Sequence, residues 1–497
     1  MRITERKESP IRGMAGMGGG AISLFNNSGG SSEYWALELR PNSYDASTSA
    51  GGNGPKVDSD GNVYVSFYFD DNSGNSERFA GIVKTDSLGS VQWLNGYQSD
   101  TTVPVGSYSH DVTSSGTVLH AYRTSNNRLE HQLLATDGST QTWSYRYGSS
   151  SGSRLTSNVS CRIAPNGDHL MSARDNDLVD AQASSFIMFR ANSSTGAIDD
   201  DNALYSGSSG SSPAPGRQFG FDSSSNSYFV MSYYDIPQAP NYAIASTIVK
   251  YNSSGAEQWK KEYTINPTGL TQWDVLQLNG CDVTSGGDVY AYGRIVRDNN
   301  FVGSRGLIIK TDSSGTTQWV KMVPKDSNGS GGDIDYSGCV DSSDNFYWVE
   351  SNKYNNDASR SSIVVHKMNS SGVVQWAREM YHNTHTTTGI NWGYVSVDSN
   401  DNLYVQGYSK VTSSSDPNGI YVIKVPTDGT ETGDYGPITW ATKTARTIEN
   451  VANNSNGYAT GNSSLSSSSN PSATEGSLTI NRTNIPSPTV NNVHTKT

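Results

Sequence analysis

The chain is expected to fold as an all-β propeller built from four-stranded antiparallel blades. Three observations predict this. A ten-residue phrase recurs, as Lys84-Thr-Asp-Ser-Leu-Gly-Ser-Val-Gln-Trp93, Lys250-Tyr-Asn-Ser-Ser-Gly-Ala-Glu-Gln-Trp259, Lys310-Thr-Asp-Ser-Ser-Gly-Thr-Thr-Gln-Trp319 and Lys367-Met-Asn-Ser-Ser-Gly-Val-Val-Gln-Trp376. A second phrase alternates with it, of which Val57-Asp-Ser-Asp-Gly-Asn-Val-Tyr64 and Val397-Asp-Ser-Asn-Asp-Asn-Leu-Tyr404 are good copies. This second phrase begins at Val57, Val112, Ile163, Phe221, Val283, Val340 and Val397, with spacings of 55, 51, 58, 62, 57 and 57 residues. A sustained period means stacked units, so the 497 residues are read as one superstructure and not as several independent domains.

Composition agrees. Only 34% of residues are hydrophobic and 16% charged, while there are 28 Tyr and an abundance of Ser, Asn, Gly and Thr. Short strands joined by many polar turns have this profile; helical enzymes do not. The net charge of −12 and the lack of a basic run argue against nucleic-acid binding. No stretch approaches the roughly 18 apolar residues of a membrane helix.

Residues 1–20 read as a charged docking arm with a glycine hinge (Gly16, Gly18, Gly19, Gly20), lacking the apolar core of a secretory signal. Residues 21–462 are the expected propeller. Within the unit 57–97, Val57 starts a strand and Asp58-Ser-Asp-Gly-Asn62 turns. Val63–Tyr68 alternates as a second strand, Ala80–Thr85 is a third, Asp86–Gly89 turns, and Val91–Tyr97 is a fourth. Seven such units are complete. Half-units remain at the ends, Ile22–Leu37 resembling strands three and four and Ile448–Asn462 resembling strands one and two. Joined, they would form an eighth blade closed by both termini, so the expectation is eight blades, with seven plus separate terminal elements as the alternative. Residues 463–497 form a Ser-rich tail with one alternating stretch, Ser477–Arg482, read as a docking strand.

The tryptophans at one place per repeat, Trp93, Trp143, Trp259, Trp319, Trp376 and Trp440, are expected to pack between blades. One unit has Ile198 there, as packing would allow. The long loops between second and third strands should emerge on one rim, carrying or flanked by Tyr233, Tyr234, Tyr242, Tyr292 and Tyr354. Tyr with Asn and Ser on a rigid scaffold is the composition of a binding surface, so these five are the candidate rim-binding residues.

Other features point to no chemistry. Asp58–Asn62 alternates oxygens as a calcium loop does but lacks the downstream Glu. His382 and His385 have no third or fourth ligand to complete a metal site. Asp199, Asp200 and Asp201 run together, and Asp333 and Asp335 alternate, without placing a carboxylate pair across a cleft. Cys161, Cys281 and Cys339 show no metal spacing and read as buried core. No catalytic, cofactor-binding or metal-binding residues are therefore assigned, and no cofactor is expected.

Asp/Asn-Ser-Ser-Gly followed by three residues and Trp resembles the tryptophan-docking motif of eight-bladed quinoprotein propellers. The second phrase is similar to the repeat of many bacterial and phage surface proteins. A quinoprotein dehydrogenase would show adjacent cysteines, absent here, and a sialidase Asp-box would place Asp two residues before Gly, whereas Asp86 precedes Gly89 by three. As a whole the chain resembles virion structural proteins of tailed bacteriophages. That resemblance implies a non-enzymatic structural protein of a tail, fibre or appendage, resident in the virion, mediating assembly or host-glycan attachment. Its partners would be other virion proteins, met through residues 1–20 and the C-terminal tail, and a host glycan. The alternatives are a carbohydrate-active propeller enzyme, a lyase or glycosidase, and a cellular or extracellular surface scaffold.

Overall fold

The computed structural model describes the strands and tight turns between residues 33 and 495. Residues 1–32, 496–497 and most of the longer connections between strands lie outside the described residues. Every regular element described is a β-strand. Seven antiparallel four-stranded blades surround an axis, so the seven-blade alternative is the one observed.

Six blades are continuous in sequence. Blade 1 runs outward through Lys56–Val57, Val63–Asp71, Arg78–Thr85 and Val91–Ser99. The next five begin on inner strands at Pro104–Val112, Leu155–Ile163, Gly220–Phe221, Asp274–Val283 and Gly338–Val340. Blade 7 has Gly389–Val397, Asn402–Lys410 and Gly419–Pro426 as its inner three strands. Its fourth is Trp35–Arg40, from the other end of the chain, paired Trp35 to Lys424 through Leu39 to Ile420.

The half-units therefore make no eighth blade. The front half supplies one strand to a blade that the chain would otherwise leave with three. The rear half goes to the outside. After Pro426 the chain makes a hairpin, Gly433–Tyr435 with Ile438–Lys443, laid on the outer strand of blade 6. It then travels backward around the ring. Glu449–Asn450 pairs with blade 5, Tyr458–Asn462 with blade 4 and Ser466–Ser469 with blade 3. Glu475–Ser477 pairs with blade 2, Ile480–Thr483 with blade 1, and Thr489–Thr495 with Trp35–Arg40 in blade 7. Every blade thus gains a fifth strand from one C-terminal belt, which covers edges that would otherwise be open to pairing with another chain.

The repeat phrases act as a lock between blades. In the first-to-second-strand turn, Asp58 Oδ1 accepts the main-chain N–H of Asp60 and Asn62 at 3.0 and 2.9 Å, and its Oδ2 accepts the Tyr64 hydroxyl at 3.0 Å. Asp222–Tyr228, Asp341–Tyr347 and Asp398–Tyr404 repeat the Asp–Tyr bond. Burial first, and the Asp charge next, push these phenols well above their ordinary range. The lysine opening each first phrase lies over the tyrosine closing the preceding second phrase: Lys84 over Tyr64, Lys250 over Tyr228, Lys310 over Tyr290 and Lys367 over Tyr347, each 5.1 Å from the ring centre. The tryptophan closing the phrase donates its indole N–H to a turn carbonyl of the next blade. These bonds run Trp93 to Thr136, Trp143 to Ser193, Trp259 to Ser313, Trp319 to Ser370 and Trp376 to Thr427, at 3.1–3.3 Å.

Trp440 is placed differently from the other five. It sits in the belt strand on blade 6, opposite Met380, buried in the core between blades 6 and 7. The sixth docking tryptophan is Trp35, whose indole donates to Ser87 O at 3.0 Å. The indole that docks blade 7 on blade 1 is Trp35, because the fourth strand of blade 7 comes from the opposite terminus.

Candidate functional site

Each inner strand runs toward its tight turn, so the ring has two unlike faces. The turn face carries the Asp-rich turns; the loop face carries the second-to-third-strand connections. Near the turn face, residues just before successive second phrases come together: Lys56, Asp111, Arg162, Asp282 and Cys339. Arg162 reaches across from blade 3. Its Nη1 donates to Phe219 O at 2.9 Å in blade 4 and to Asp282 Oδ1 at 3.1 Å in blade 5, while its Nε stands 3.8 Å from Asp111 Oδ2 in blade 2. Asp111 also accepts the Ile163 N–H at 2.8 Å, and Asp282 the Val340 N–H at 3.0 Å.

Burial alone would lower the Arg162 pKa; Asp282 and Asp111 outweigh it and keep the guanidinium charged. Lys56 is lowered by burial and then by the Arg162 charge. Both carboxylates are thus engaged by main-chain donors and a cation. The cluster ties blades 2, 3, 4, 5 and 6 together.

Four buried histidines, His110, His120, His131 and His169, are not acid–base groups near neutrality. Burial holds His110, His131 and His169 down to about 4 and His120 to about 3, so all four are neutral at pH 7. In blade 6, Glu350 and His366 are buried, with Nε2 to Oε1 at 2.5 Å, and Arg446 of the belt reaches the same oxygen at 2.8 Å. Burial would raise the Glu350 pKa, but His366 and Arg446 overcome this and hold it at about 2. This is an anchor for the belt, as is Lys443 to Glu379 at 2.9 Å.

The loop face of blade 7 is different. Trp392 lies near the start of the inner strand Gly389–Val397, at the end away from the turn, within a register shift between Asn391 and Tyr394. Such a bulge turns a side chain out of the pleat. Its φ is +52°, a left-handed conformation that a bulky side chain adopts at a cost of about 1–3 kcal/mol. The indole is 36% exposed and stacks on Tyr408, with ring centres 5.2 Å apart and planes inclined by 11°. The other large hydrophobic side chains described as exposed, Leu88 and Val373, lie in or beside third-to-fourth-strand turns. The flat aromatic pair on the loop face therefore stands apart from the repeat.

The residues expected to form a rim site fare as follows. Tyr292 is fully buried, its hydroxyl donating to Gln218 Oε1 at 2.8 Å, so it packs between blades. Tyr233 and Tyr234 lie in the strand Ser227–Asp235, with side chains outside the described residues; Tyr242 and Tyr354 lie outside them altogether. Asp58 spends its carboxylate on its own turn. Asp199, Asp200 and Asp201 lie in the outer strand Ile198–Tyr205 of blade 3. His382 is buried, with its ring edge toward Tyr421; His385, Asp333 and Asp335 lie outside the described residues. The three cysteines are free and buried, and no cluster of His, Cys, Asp and Glu among the described residues could hold a metal ion. The sequence reading passed over Trp392 and Tyr408. The available signal was a tryptophan off the repeat position, five residues before its second phrase, where the other units have Gly52, Ser107, Asn158, Gly216, Leu278 and Asp335.

No protein-family model matches the chain, and no curated protein matches it. Solved structures do. A polysaccharide lyase matches with 10% identity over 76% of this chain and 90% of its own, at a TM-score of 0.48. The endosialidase of phage phi92 matches with 11% identity over 84% and 74%, at 0.38. An α-L-arabinanase of Penicillium chrysogenum matches with 10% identity over 80% and 98%, at 0.40. At identities of about a tenth and TM-scores below 0.5, no residue and no activity is carried across. The set of matches does correct one expectation: the reading of a chain without enzymatic activity is withdrawn, since the named matches of this fold include a lyase and glycoside hydrolases.

Proposed function

We propose that the protein is a carbohydrate-active propeller that engages a polysaccharide on its loop face, with a sugar ring stacked on the Trp392–Tyr408 pair. The observation that supports this is the exposed, strained indole of Trp392 lying flat against Tyr408. Strained non-glycine residues persist where the surrounding structure holds them and cluster at binding sites. The C–H face of a pyranose or furanose presents an apolar plate with outward hydroxyls, which a flat aromatic pair receives while polar edges bind water or protein. Among the described residues of the turn face, Asp111 and Asp282 are engaged by Arg162 and main-chain donors.

Residence in a phage particle, with residues 1–20 as a docking arm to other virion proteins and a host glycan as target, belongs to the same proposal. The phage reading draws on composition and the charged arm; the C-terminal tail contributes strands of the belt.

The test is binding and turnover on a panel of neutral and uronate-containing oligosaccharides, read by calorimetry, by release of reducing ends, and by ultraviolet absorbance of unsaturated uronates. Trp392→Ala is expected to weaken binding at least about tenfold, the equivalent of one lost stacking contact of about 1.4 kcal/mol. A panel in which no member binds the unaltered protein at millimolar concentration would overturn the reading.

A further inference from the structure

In the turn-face cluster, Lys56 is the charged member with no group in contact. Arg162 is held by Phe219 O, Asp282 and Asp111. Those two carboxylates also accept the main-chain N–H groups of Val340 and Ile163. Lys56 Nζ has no hydrogen-bond or ion-pair partner among the described residues. Other lysines are tied down: Lys260 meets Glu257 at 3.2 Å, Lys310 meets Asp288 at 3.1 Å, and Lys443 meets Glu379 at 2.9 Å.

Three blades fix its backbone. Lys56 opens the inner strand of blade 1 and pairs with Tyr64 in the ladder. Pro55 O, just before it, accepts the hydroxyl of Ser396 in blade 7. Tyr64 O is bonded to His110 Nε2 of blade 2 at 3.0 Å. Lys56 is intermediate in exposure, so solvent reaches it. The charged and titratable groups around it are Asp111 and His110 of blade 2, Arg162 and Cys161 of blade 3, Asp282 of blade 5 and Cys339 of blade 6. His110 is neutral at pH 7 and burial pushes both thiols up, so none of these three supplies a counter-charge. Asp111 and Asp282 favour the ammonium form of Lys56. Burial and the Arg162 charge outweigh them and lower its pKa.

We propose that Lys56 is a covalent capture site for small carbonyl compounds, aldehydes or 2-keto acids, which it holds as an imine beside Asp111, Arg162 and Asp282. This is independent of the carbohydrate reading. The amine lone pair forms the new C–N bond to the carbonyl carbon. The carbonyl oxygen then leaves as one water, taking both protons of the amine nitrogen, and nothing is oxidised or reduced. A lysine in direct contact with a carboxylate keeps its proton and has no lone pair to give. One enclosed beside a second cation gives the proton up more readily and becomes the nucleophile. The pinned backbone holds the amine at one place, and its partial exposure gives a small molecule access.

The experiment has two arms, both on the full chain. In the first, limiting isotope-labelled formaldehyde with cyanoborohydride is applied across a pH series, and methylation of each lysine is read by mass spectrometry after digestion. Near neutral pH, Lys56 is expected to be modified at least about threefold faster than Lys260 and Lys443, and its rate to level off at lower pH than theirs. In the second, glycolaldehyde or pyruvate is added and trapped with borohydride. The unaltered protein is expected to gain one adduct, on Lys56. Lys56→Arg keeps the charge and forms no imine, so it gains none there; thermal melting checks its fold, and the first arm decides without it. Trapping of one compound and not the other assigns the site to aldehydes or to keto acids. Lys56 modified no faster than Lys260 and Lys443, or trapping of neither compound on Lys56, overturns the proposal. Either result leaves the carbohydrate reading where it stands, and a failure to bind saccharides leaves Lys56 untouched.

Discussion

Gly89→Ala tests the closure of the ring. Gly89 ends the turn between the third and fourth strands of blade 1, at φ +83°. A Cβ added there would lie 2.8 Å from Trp35 Cδ2, 3.0 Å from Cε3 and 3.1 Å from Cε2. Trp35 is fully buried on the N-terminal strand of blade 7 and cannot swing away without giving up its bond to Ser87 O. Two costs therefore add. The left-handed backbone costs an alanine about 1–2 kcal/mol. Forcing a methyl against a packed indole costs about 1–3 kcal/mol more. Gly167→Ala supplies the control: its φ is +91°, but nothing lies within 4 Å of the added Cβ, so only the backbone cost applies. Urea unfolding, followed by tryptophan fluorescence and circular dichroism, should show Gly89→Ala losing about 2–5 kcal/mol and Gly167→Ala about 1–2 kcal/mol. Equal losses would refute the reasoning, since Trp35 would then not be pressed on blade 1 and the N-terminal strand would not close the ring as described.

Two more predictions concern the belt. Glu350 has its folded pKa depressed to about 2 from an ordinary 4.5, so its stabilising contribution is complete above about pH 4.5 and is lost as pH falls toward 2. Acid unfolding should carry an additional loss on the order of 3 kcal/mol across that window, and Glu350→Gln should flatten that limb; an unchanged acid limb in the variant would show that the carboxylate is not ionised against His366 and Arg446. Removing residues 449–497 uncovers the outer strands of blades 1 to 5 and the N-terminal strand of blade 7. Open edges pair with one another, so the shortened chain should self-associate in size-exclusion chromatography with light scattering, and a monodisperse shortened ring would show that the belt is not what shields the edges.

The repeat was legible because its residues do local work. Asp58, Gly61 and Tyr64 close a turn within seven residues, and Trp93 finds the neighbouring blade by geometry that recurs in each unit. Blade count was harder. Ile22–Leu37 and Ile448–Asn462 carry partial phrases, but alternation along a strand is the same whether it is an inner strand, the fourth strand of a blade begun elsewhere, or an outer cover. The binding platform was less legible still. Tyr292 looks in sequence like a rim residue and is fully buried, while Trp392, off the repeat position, is exposed. Which way a side chain points at a bulge depends on a register shift of the strand pair, and a one-residue shift reverses the face.

By itself, then, the sequence determined an all-β ring of repeated four-stranded units, because turn chemistry, strand alternation and the docking indole act over a few residues or between identical neighbours. Only the tertiary structure decided that there are seven blades, that Trp35 and not Trp440 completes the set of docking tryptophans, and that the C-terminal segment encircles the ring. It also brought Lys56, Asp111, Arg162 and Asp282 together from four blades. These are contacts between residues more than fifty positions apart, chosen by closure of the ring, and no local pattern encodes which distant strand will fill an open edge.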